Sequence, residues 1–289
     1  MTQKLSIVLP ARNESNAIGS VLDSIKDLLP EAEVIVINDG SNDNTAQIAE
    51  DAGAVVISHP IPKGNGASIK TGTRAAAGEF IVFMDADGQH DARDIPRLLA
   101  QLANGYDMVV GSRKVGSQAS VGRGLANRIY NRLASYMTGH KIEDLTSGFR
   151  VVRSDKFREF LYLLPNGFSY PTTCTMAFFR AGYGVSYLPI NAAKRIGKSH
   201  IRLLHDGSRF LMIIFKIGTL YSPLKIFAPV ALLMFVLATG WYVWTLFSFG
   251  RFTNMSALLY TGSAVTFLMG LISEQITALM YKDTGDSRK

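Results

Sequence analysis

Two uncharged runs near the C-terminal end limit this chain most. Lys225 and Arg251 bracket 25 residues without a charge, Ile226 to Gly250, and a second uncharged run, Phe252 to Ser273, has 22. A helix needs roughly 20 residues to cross a hydrocarbon core of about 30 Å, so each run can span a bilayer. The spans are expected at about 226–249 and 256–279, within a hairpin region 224–281. The turn near Gly250 to Met255 carries one base. Ahead of the first span, Asn191 to Lys225 holds seven bases (Lys194, Arg195, Lys198, Arg202, Arg209, Lys216, Lys225) against Asp206 alone. The tail 282–289 adds Lys282, Arg288 and Lys289. The positive-inside rule then makes this an integral membrane protein with its large domain and C-terminus in the cytoplasm. Trp241, Tyr242 and Trp244 fall toward the far interface. Residues 201–223 are expected to be an amphipathic juxtamembrane segment, with Phe210 to Ile217 lying on the membrane surface. Gly262, Thr266, Gly270 and Glu274 recur every four residues and share a helix face that permits close helix contact.

The N-terminal 200 residues have a different texture. Met1 to Lys4 lead straight into a strand-like run, so no signal peptide is expected. Leu5 to Leu9 reads as a strand ended by Pro10, and Asn13 to Leu29 as a helix with apolar Ile18, Val21, Leu22, Ile25 and Leu28. Strands at Val34–Ile37, Ala54–Ile57, Phe80–Met84 and Met108–Val110 alternate with helices at Thr45–Ala52, Ala67–Ala77 and Ile95–Leu102. Asn42 to Asn44 are cap candidates. This βαβα order predicts an α/β domain with a doubly wound, mostly parallel sheet. Beyond Gly116, helices are expected at Asn127–Met137 and Ser169–Ala181, and a strand at Val185–Ile190. Cys174 stands alone and reads as a core thiol.

Asp85-Ala86-Asp87-Gly88-Gln89-His90 directly follows the strand at Phe80. Ligands of open α/β sheets bind at that edge. Two carboxylates and an amide offer oxygen ligands, which suits Mg²⁺ or Mn²⁺ holding a diphosphate. A plain polar turn is the competing reading. The formal net charge is +7, and from Met108 to Ile142 there is no acid but six bases. Such clusters favour phosphate-bearing partners or an anionic membrane surface. Nucleic acid is not expected, since one cluster abuts a membrane span and neither carries a nucleic-acid motif.

Ile7-Val8-Leu9-Pro10-Ala11-Arg12-Asn13-Glu14, Ile37-Asn38-Asp39-Gly40-Ser41, Asp85 to His90 and Gly111-Ser112-Arg113 together resemble the family 2 glycosyltransferases with the GT-A fold. Ser147-Gly148-Phe149-Arg150, Arg195-Ile196-Gly197-Lys198-Ser199 and the membrane hairpin are similar to the polyprenyl-phosphate sugar transferases of the dolichol-phosphate mannose synthase type. The resemblance implies a nucleotide-binding GT-A domain over residues 1–200. Pro10, Ala11, Arg12 and Glu14 would line the nucleotide cleft, and Asp39 would bind the base. Asp85, with Ala86 beside it, would face the ribose or sugar, and Asp87 and Gln89 would hold the metal. Asp85, Asp87 and Arg113 would be the catalytic set. Lys63-Gly64-Asn65-Gly66 reads as a flexible loop near the donor, with Lys63 beside the nucleotide sugar, or as an ordinary surface turn, and not as a strand-to-helix turn. Relatives form tetramers through their membrane parts, and the Gly262 face permits a similar homo-oligomer.

Relatives that glycosylate a sugar hydroxyl carry an acid as base at the start of the helix after the Ser147 region. Here no carboxylate occurs between Glu159 and Asp206. A hydroxyl nucleophile must lose a proton, whereas a lipid phosphate is already anionic and needs cations to position it. Arg113, Arg123, Arg195 and Lys198 are the candidates. The QxxRW element of processive polysaccharide synthases is missing, which argues against a polymerase. The expected activity is inverting, metal-dependent transfer of a hexose from a UDP- or GDP-sugar to polyprenyl or dolichyl phosphate. Transfer to a lipid or sugar hydroxyl, and non-catalytic nucleotide-sugar binding, are the alternatives.

Overall fold

Near-continuous apolar runs make strands that bury both faces, and here they pair into one seven-stranded sheet. The computed structural model describes residues 4–113, 121–167, 170–191, 215, 218–219 and 221–282, apart from the side chains of 121–127 and 281–282. The elements are β1 (Leu5–Ala11), α1 (Ile18–Leu28), β2 (Glu33–Asn38), α2 (Thr45–Asp51), β3 (Val55–Ser58), α3 (Asn65–Ala75), β4 (Phe80–Phe83), α4 (Ile95–Leu102), β5 (Met108–Arg113), α5 (Val121–Thr138), β6 (Arg150–Arg153), α6 (Ser154–Arg158), α7 (Tyr170–Arg180), β7 (Val185–Ile190), α8 (Leu224–Phe249) and α9 (Asn254–Lys282). The chain divides into two units, Met1–Arg202 and Leu203–Lys289.

In the first unit the sheet order is β3-β2-β1-β4-β6-β5-β7. Only β6 runs antiparallel, against β4 and β5. The expected doubly wound, mostly parallel sheet is therefore present, with one strand the periodicity does not announce. β6 is a Val-Val pair between two arginines, too short and too charged at its ends to read as a core strand. Its Arg150 is nonetheless fully buried. Ile18, Val21, Leu22 and Ile25 of α1 pack inward as one stripe, each contributing roughly 1.5–3 kcal/mol of burial.

Two sequence boundaries move, each for a physical reason. Pro10 does not end β1; it pairs in register with Ile37 of β2. Val8 O accepts from Met84 N and Ala11 O from Asp39 N. Alternate residues face opposite neighbours, so Pro10 faces the β4 side, where paired residues stop at Val8. No ladder bond is lost to the missing N–H. The first helix starts at Ile18, not Asn13, because Asn13 adopts φ 57 and residues 13–15 are tied to the loop after β2. Asn13 N donates to Ser41 Oγ (3.0 Å), Glu14 N to Thr45 Oγ1 (2.9 Å) and Ser15 N to Asp43 Oδ2 (3.2 Å). Among the cap candidates it is Asp43 that serves α2, accepting from Thr45 N at 3.1 Å.

The second unit holds the hairpin α8 and α9. The most apolar stretches of the two helices are only 11% and 17% buried, unlike the mostly buried core helices of a soluble domain. Gly250, at φ 62, ends α8 with its N–H on Leu246 O. The small-residue face of α9 is used inside the hairpin. A Cβ on Gly262 would meet Met234 Cε at 2.8 Å, and one on Gly270 would meet Phe227 Cβ at 2.7 Å. Ser263 Oγ donates to Ala231 O at 2.8 Å. Within the chain that face closes α9 on α8. Glu274 accepts from Leu224 N at 3.2 Å, so it satisfies one of the orphan amides that open α8. The surface helix expected at Phe210–Ile217 and the tail after 282 lie outside the described residues.

Candidate active site

Strand order reverses between β1 and β4, since β2 and β3 lie on one side and β6, β5 and β7 on the other. Side-chain loops diverge at such a switch point and leave a crevice at the carboxyl ends of the strands. A cleft of about 460 Å³ opens there, lined by Pro10, Ala11, Arg12, Glu14, Asp39, Gly64, Asn65, Ser68, Asp85, Ala86, Asp87 and Gln89. Every residue the sequence suggested for donor and metal binding is gathered in it except Lys63.

Lys63 acts through its main chain. Its N–H donates to Asp39 Oδ1 and that of Gly64 to Asp39 Oδ2, both at 2.8 Å. Asp39 Oδ1 also accepts from His59 Nδ1 at 2.8 Å, and His59 Nε2 faces Thr71 Oγ1 at 3.0 Å. Burial pushes the Asp39 carboxyl up, but the His59 bond, the two amides and the attraction of the His59 ring together hold it below the usual carboxylate range. The segment 63–66 is thus no flexible loop. Gly64, at φ 100, is the N-cap of α3, and Asn65 and Gly66 open that helix. A strand, a pinned loop and a helix N-terminus follow in order, which corrects the expectation for Lys63 to Gly66. A Cβ on Gly66 would sit 2.0 Å from Pro165 O, because Gly66 N and Ala67 N donate to Gly167 O (3.3 Å) and Asn166 O (2.9 Å). Lys70 Nζ donates to Leu164 O at 3.1 Å and to Asn166 Oδ1.

Asp85, Asp87 and Gln89 follow β4 around Gly88, which adopts φ 72. Asp87 is buried, and its Oδ1 accepts from Gln89 N at 3.1 Å. His90 Nε2 lies 3.6 Å from Asp85 Oδ2, and its ring stacks on Phe149 with centroids 4.9 Å apart. A Cβ on Gly148 would lie 3.1 Å from Asp85 Oδ2, and Tyr170 Oη donates to Gly148 O at 3.1 Å. Gly148 therefore lets the main chain before β6 touch the Asp85 carboxylate. Among the described residues no group of three or more His, Cys, Asp or Glu could enclose a metal. The donor set is two carboxylates and an amide, all oxygen, which fits a hard cation that completes its shell with water and phosphate.

Arg113, at the end of β5, points to a carboxylate that the sequence did not single out. Arg113 Nε donates to Asp144 Oδ2 (2.8 Å), and Nη2 to Asp144 Oδ1 (3.0 Å) and Thr146 Oγ1 (2.7 Å). Thr146 N and Ser147 N also donate to Asp144 Oδ1, each at 3.1 Å. Burial pushes the Asp144 carboxyl up, but the side-chain bonds, charge and main-chain amide of Arg113 and the Thr146 amide outweigh it and hold the carboxyl low. Burial alone would lower Arg113, but Asp144, with Asp85 further off, raises it. So Asp144 is a saturated ionic partner and a poor general base. The detectable signal was positional: Glu143 and Asp144 are the first acids after the acid-free basic stretch. Arg150 Nη1 donates to Pro171 O and Thr175 Oγ1, both at 3.1 Å, and Nη2 to Ser147 O, so it fastens β6 to α7. Cys174 is buried in that packing, and its thiol is pushed up by burial. The side chain of Arg123, and all of Arg195 and Lys198, lie outside the described residues.

Residues 6–161 match the model of glycosyl transferase family 2, and residues 222–279 that of the GtrB C-terminal hairpin. The chain is 26% identical to glycosyltransferase AglJ of Haloferax volcanii, over 94% of this chain and 93% of that protein. It is 29% identical to a dolichyl-phosphate hexose transferase of Haloferax volcanii, over 71% of this chain and 89% of that one. It is 34% identical to an undecaprenyl-phosphate 4-deoxy-4-formamido-L-arabinose transferase of Proteus mirabilis, over 52% and 49% of the two chains. Among solved structures, glucosyl-3-phosphoglycerate synthase of Mycobacterium tuberculosis, in complex with Mn²⁺, uridine diphosphate and phosphoglyceric acid, superposes with a TM-score of 0.61 at 24% identity. It covers 75% of this chain and 78% of that one, and shares the fold. A GT-A-like mixed sheet, a polar cleft at its switch point and a C-terminal membrane hairpin thus coincide with the sequence match, and the chain belongs to glycosyl transferase family 2.

Proposed function

We propose that this glycosyltransferase moves a hexose from a UDP- or GDP-sugar to polyprenyl or dolichyl phosphate at the cytoplasmic membrane face, with inversion. The observation that carries the donor half is the single cleft holding Pro10 to Glu14, Asp39 and Asp85 to Gln89. Asp87 and Gln89 would hold Mg²⁺ or Mn²⁺, which supplies positive charge for the departing nucleoside diphosphate. Asp85 faces the sugar side and is positioned by His90 and Gly148. The M. tuberculosis synthase, with Mn²⁺ and uridine diphosphate in its complex, supports the same donor chemistry here.

The acceptor half rests on charge. Asp144, the carboxylate found near Arg113, is spent on that arginine. A phosphate oxygen attacking the anomeric carbon needs no base: the new C–O bond forms as the bond to the nucleoside diphosphate breaks, and no proton moves. Arg113 keeps Nη1 without a partner among the described residues, and with Arg123, Arg195 and Lys198 it would clamp the lipid phosphate. The relatives named for dolichyl- and undecaprenyl-phosphate support this acceptor, and the basic residues ahead of α8 support the cytoplasmic orientation.

The test is direct. Purified full chain is incubated with a panel of UDP- and GDP-sugars, Mn²⁺ or Mg²⁺ and a short polyprenyl phosphate. A sugar-phosphate lipid is expected with one donor; none with any donor refutes the proposal. Retained activity in Asp87→Ala would refute the metal assignment, and an unchanged apparent affinity for the lipid phosphate in Arg195→Ala would remove that residue from the clamp.

A further inference from the structure

Two arginines of different electrical character hold the segment 144–150. Arg113 binds Asp144 and Thr146, and the Asp144 carboxylate cancels its charge. Arg150 forms no ion pair among the described residues. It is fully buried, and every group it bonds is neutral: Ser147 O, Pro171 O, Thr175 Oγ1, Met108 Sδ and Cys174 Sγ. Its Nε and the neighbouring Ser147 Oγ are buried without a hydrogen-bond partner among the described residues. A buried guanidinium with no counter-charge is a costly way to fasten β6 to α7, since apolar side chains of similar volume often do as well or better. The packing therefore does not account for the charge.

Its place in the sheet does. Arg150 pairs with Phe83 across β6 and β4. The same antiparallel register, carried two residues further, sets Asp85 opposite Gly148. The contact agrees, since a Cβ on Gly148 would lie 3.1 Å from Asp85 Oδ2. Diagonal neighbours in such a ladder have Cβ atoms roughly 7–8 Å apart on one face of the sheet. Tyr170 links the two positions: its ring centroid is 5.7 Å from Arg150 Cζ, and its Oη donates to Gly148 O at 3.1 Å. The charge of Arg150 thus stands behind the partly exposed carboxylate of Asp85.

An anionic acceptor that approaches the sugar meets Asp85, a like charge. We propose that Arg150 is a positioning residue that offsets Asp85 from beneath the Ser147–Gly148 turn and so admits a dianionic phosphate. It touches no substrate and acts through its field. The inference rests on the acceptor reading above and deepens it: the cation that favours a phosphate acceptor is the uncancelled Arg150 more than the paired Arg113. At an effective dielectric constant near 20 and a separation on the order of 10 Å, a unit charge changes affinity about tenfold for each charge on the ligand.

Calorimetry on the full chain in detergent with Mn²⁺, at about pH 8, compares geranyl phosphate, a dianion there, with its methyl phosphodiester, a monoanion. The affinity ratio is read in the wild type and in variants, so the bulk of the methyl group cancels. Arg150→Gln and Arg150→Met both remove the charge, the first keeping an amide donor and the second filling the space with apolar atoms. Either one is expected to lower the ratio about tenfold. Thr175→Val removes a partner of Arg150 and keeps the charge, so it should weaken the fold and leave the ratio unchanged. An unchanged ratio in whichever Arg150 variant folds, or an equal fall in Thr175→Val, overturns the inference and leaves the acceptor reading standing. Failure of geranyl phosphate to bind the wild type overturns both.

Discussion

The Arg113–Asp144 pair gives the sharpest test of how the proposed acceptor site is held. Asp144→Asn keeps the shape but turns an amide N–H toward Arg113 Nε or Nη2. The guanidinium then keeps Thr146 Oγ1 and a single bond to the remaining carbonyl oxygen at position 144, and loses the ion pair. Breaking a buried pair by removing one partner costs about 3–5 kcal/mol. The Arg113 side chain is 29% exposed, so water recovers part of the loss and the low end, about 3 kcal/mol, is expected. Arg113→Met leaves Asp144 with the Thr146 and Ser147 amides and should cost less, about 1.5–2 kcal/mol. The double variant should fall short of the sum by at least about 1 kcal/mol, since each single change strands the other group. Both tryptophans lie in α8 and do not report on this domain. Cys174, alone and buried in the sheet domain, does. Its rate of maleimide labelling against denaturant gives the opening free energy. Single costs that add to within about 0.5 kcal/mol would refute the pair as the anchor of Arg113.

Gly66→Ala places a methyl 2.0 Å from Pro165 O, so the 165–167 segment must retreat by more than 1 Å from α3; about 100-fold loss of transfer is expected on that scale of displacement, and near-normal turnover would show that the contact does not position the site. Gly148→Ala crowds Asp85 Oδ2 at 3.1 Å and should lower kcat more than it raises the donor KM; an effect on KM alone would contradict the placement of Asp85. Glu274→Ala removes the acceptor of Leu224 N–H and should destabilise the hairpin by about 1 kcal/mol, read from tryptophan fluorescence in micelles, while Glu274→Gln retains an acceptor and most of the stability. Asp39 and Asp144 are held below the ordinary carboxylate value, so their stabilisation is present above that value and is lost as pH falls through the lower folded value. Cys174 protection should be flat from about pH 8 to 5 and fall below about pH 4; a decline already between pH 7 and 5 would contradict it.

The strands at Leu5, Val34, Phe80 and Met108, the helix stripes and the hairpin were written in the local pattern, because periodicity and uncharged length report on burial directly. Asp85, Asp87 and Gln89 were legible because a polar cluster directly behind a buried strand falls on a predictable edge. β6 was not, since four residues between two arginines carry no period, and its antiparallel place between β4 and β5 is a property of the sheet.

Partnership is what the sequence by itself left open. It supplied Arg113 as a cation and Asp39 as a carboxylate, but not that Arg113 spends two donors on Asp144, 31 residues away, or that Asp39 spends three acceptor positions on His59, Lys63 and Gly64, 20 to 25 residues away. The small-residue face of α9 was visible as a repeat of four, yet whether it meets α8 or another copy depends on which helix packs there. Residue types fix what a side chain can donate or accept. Only the tertiary packing fixes how much of that capacity is already used.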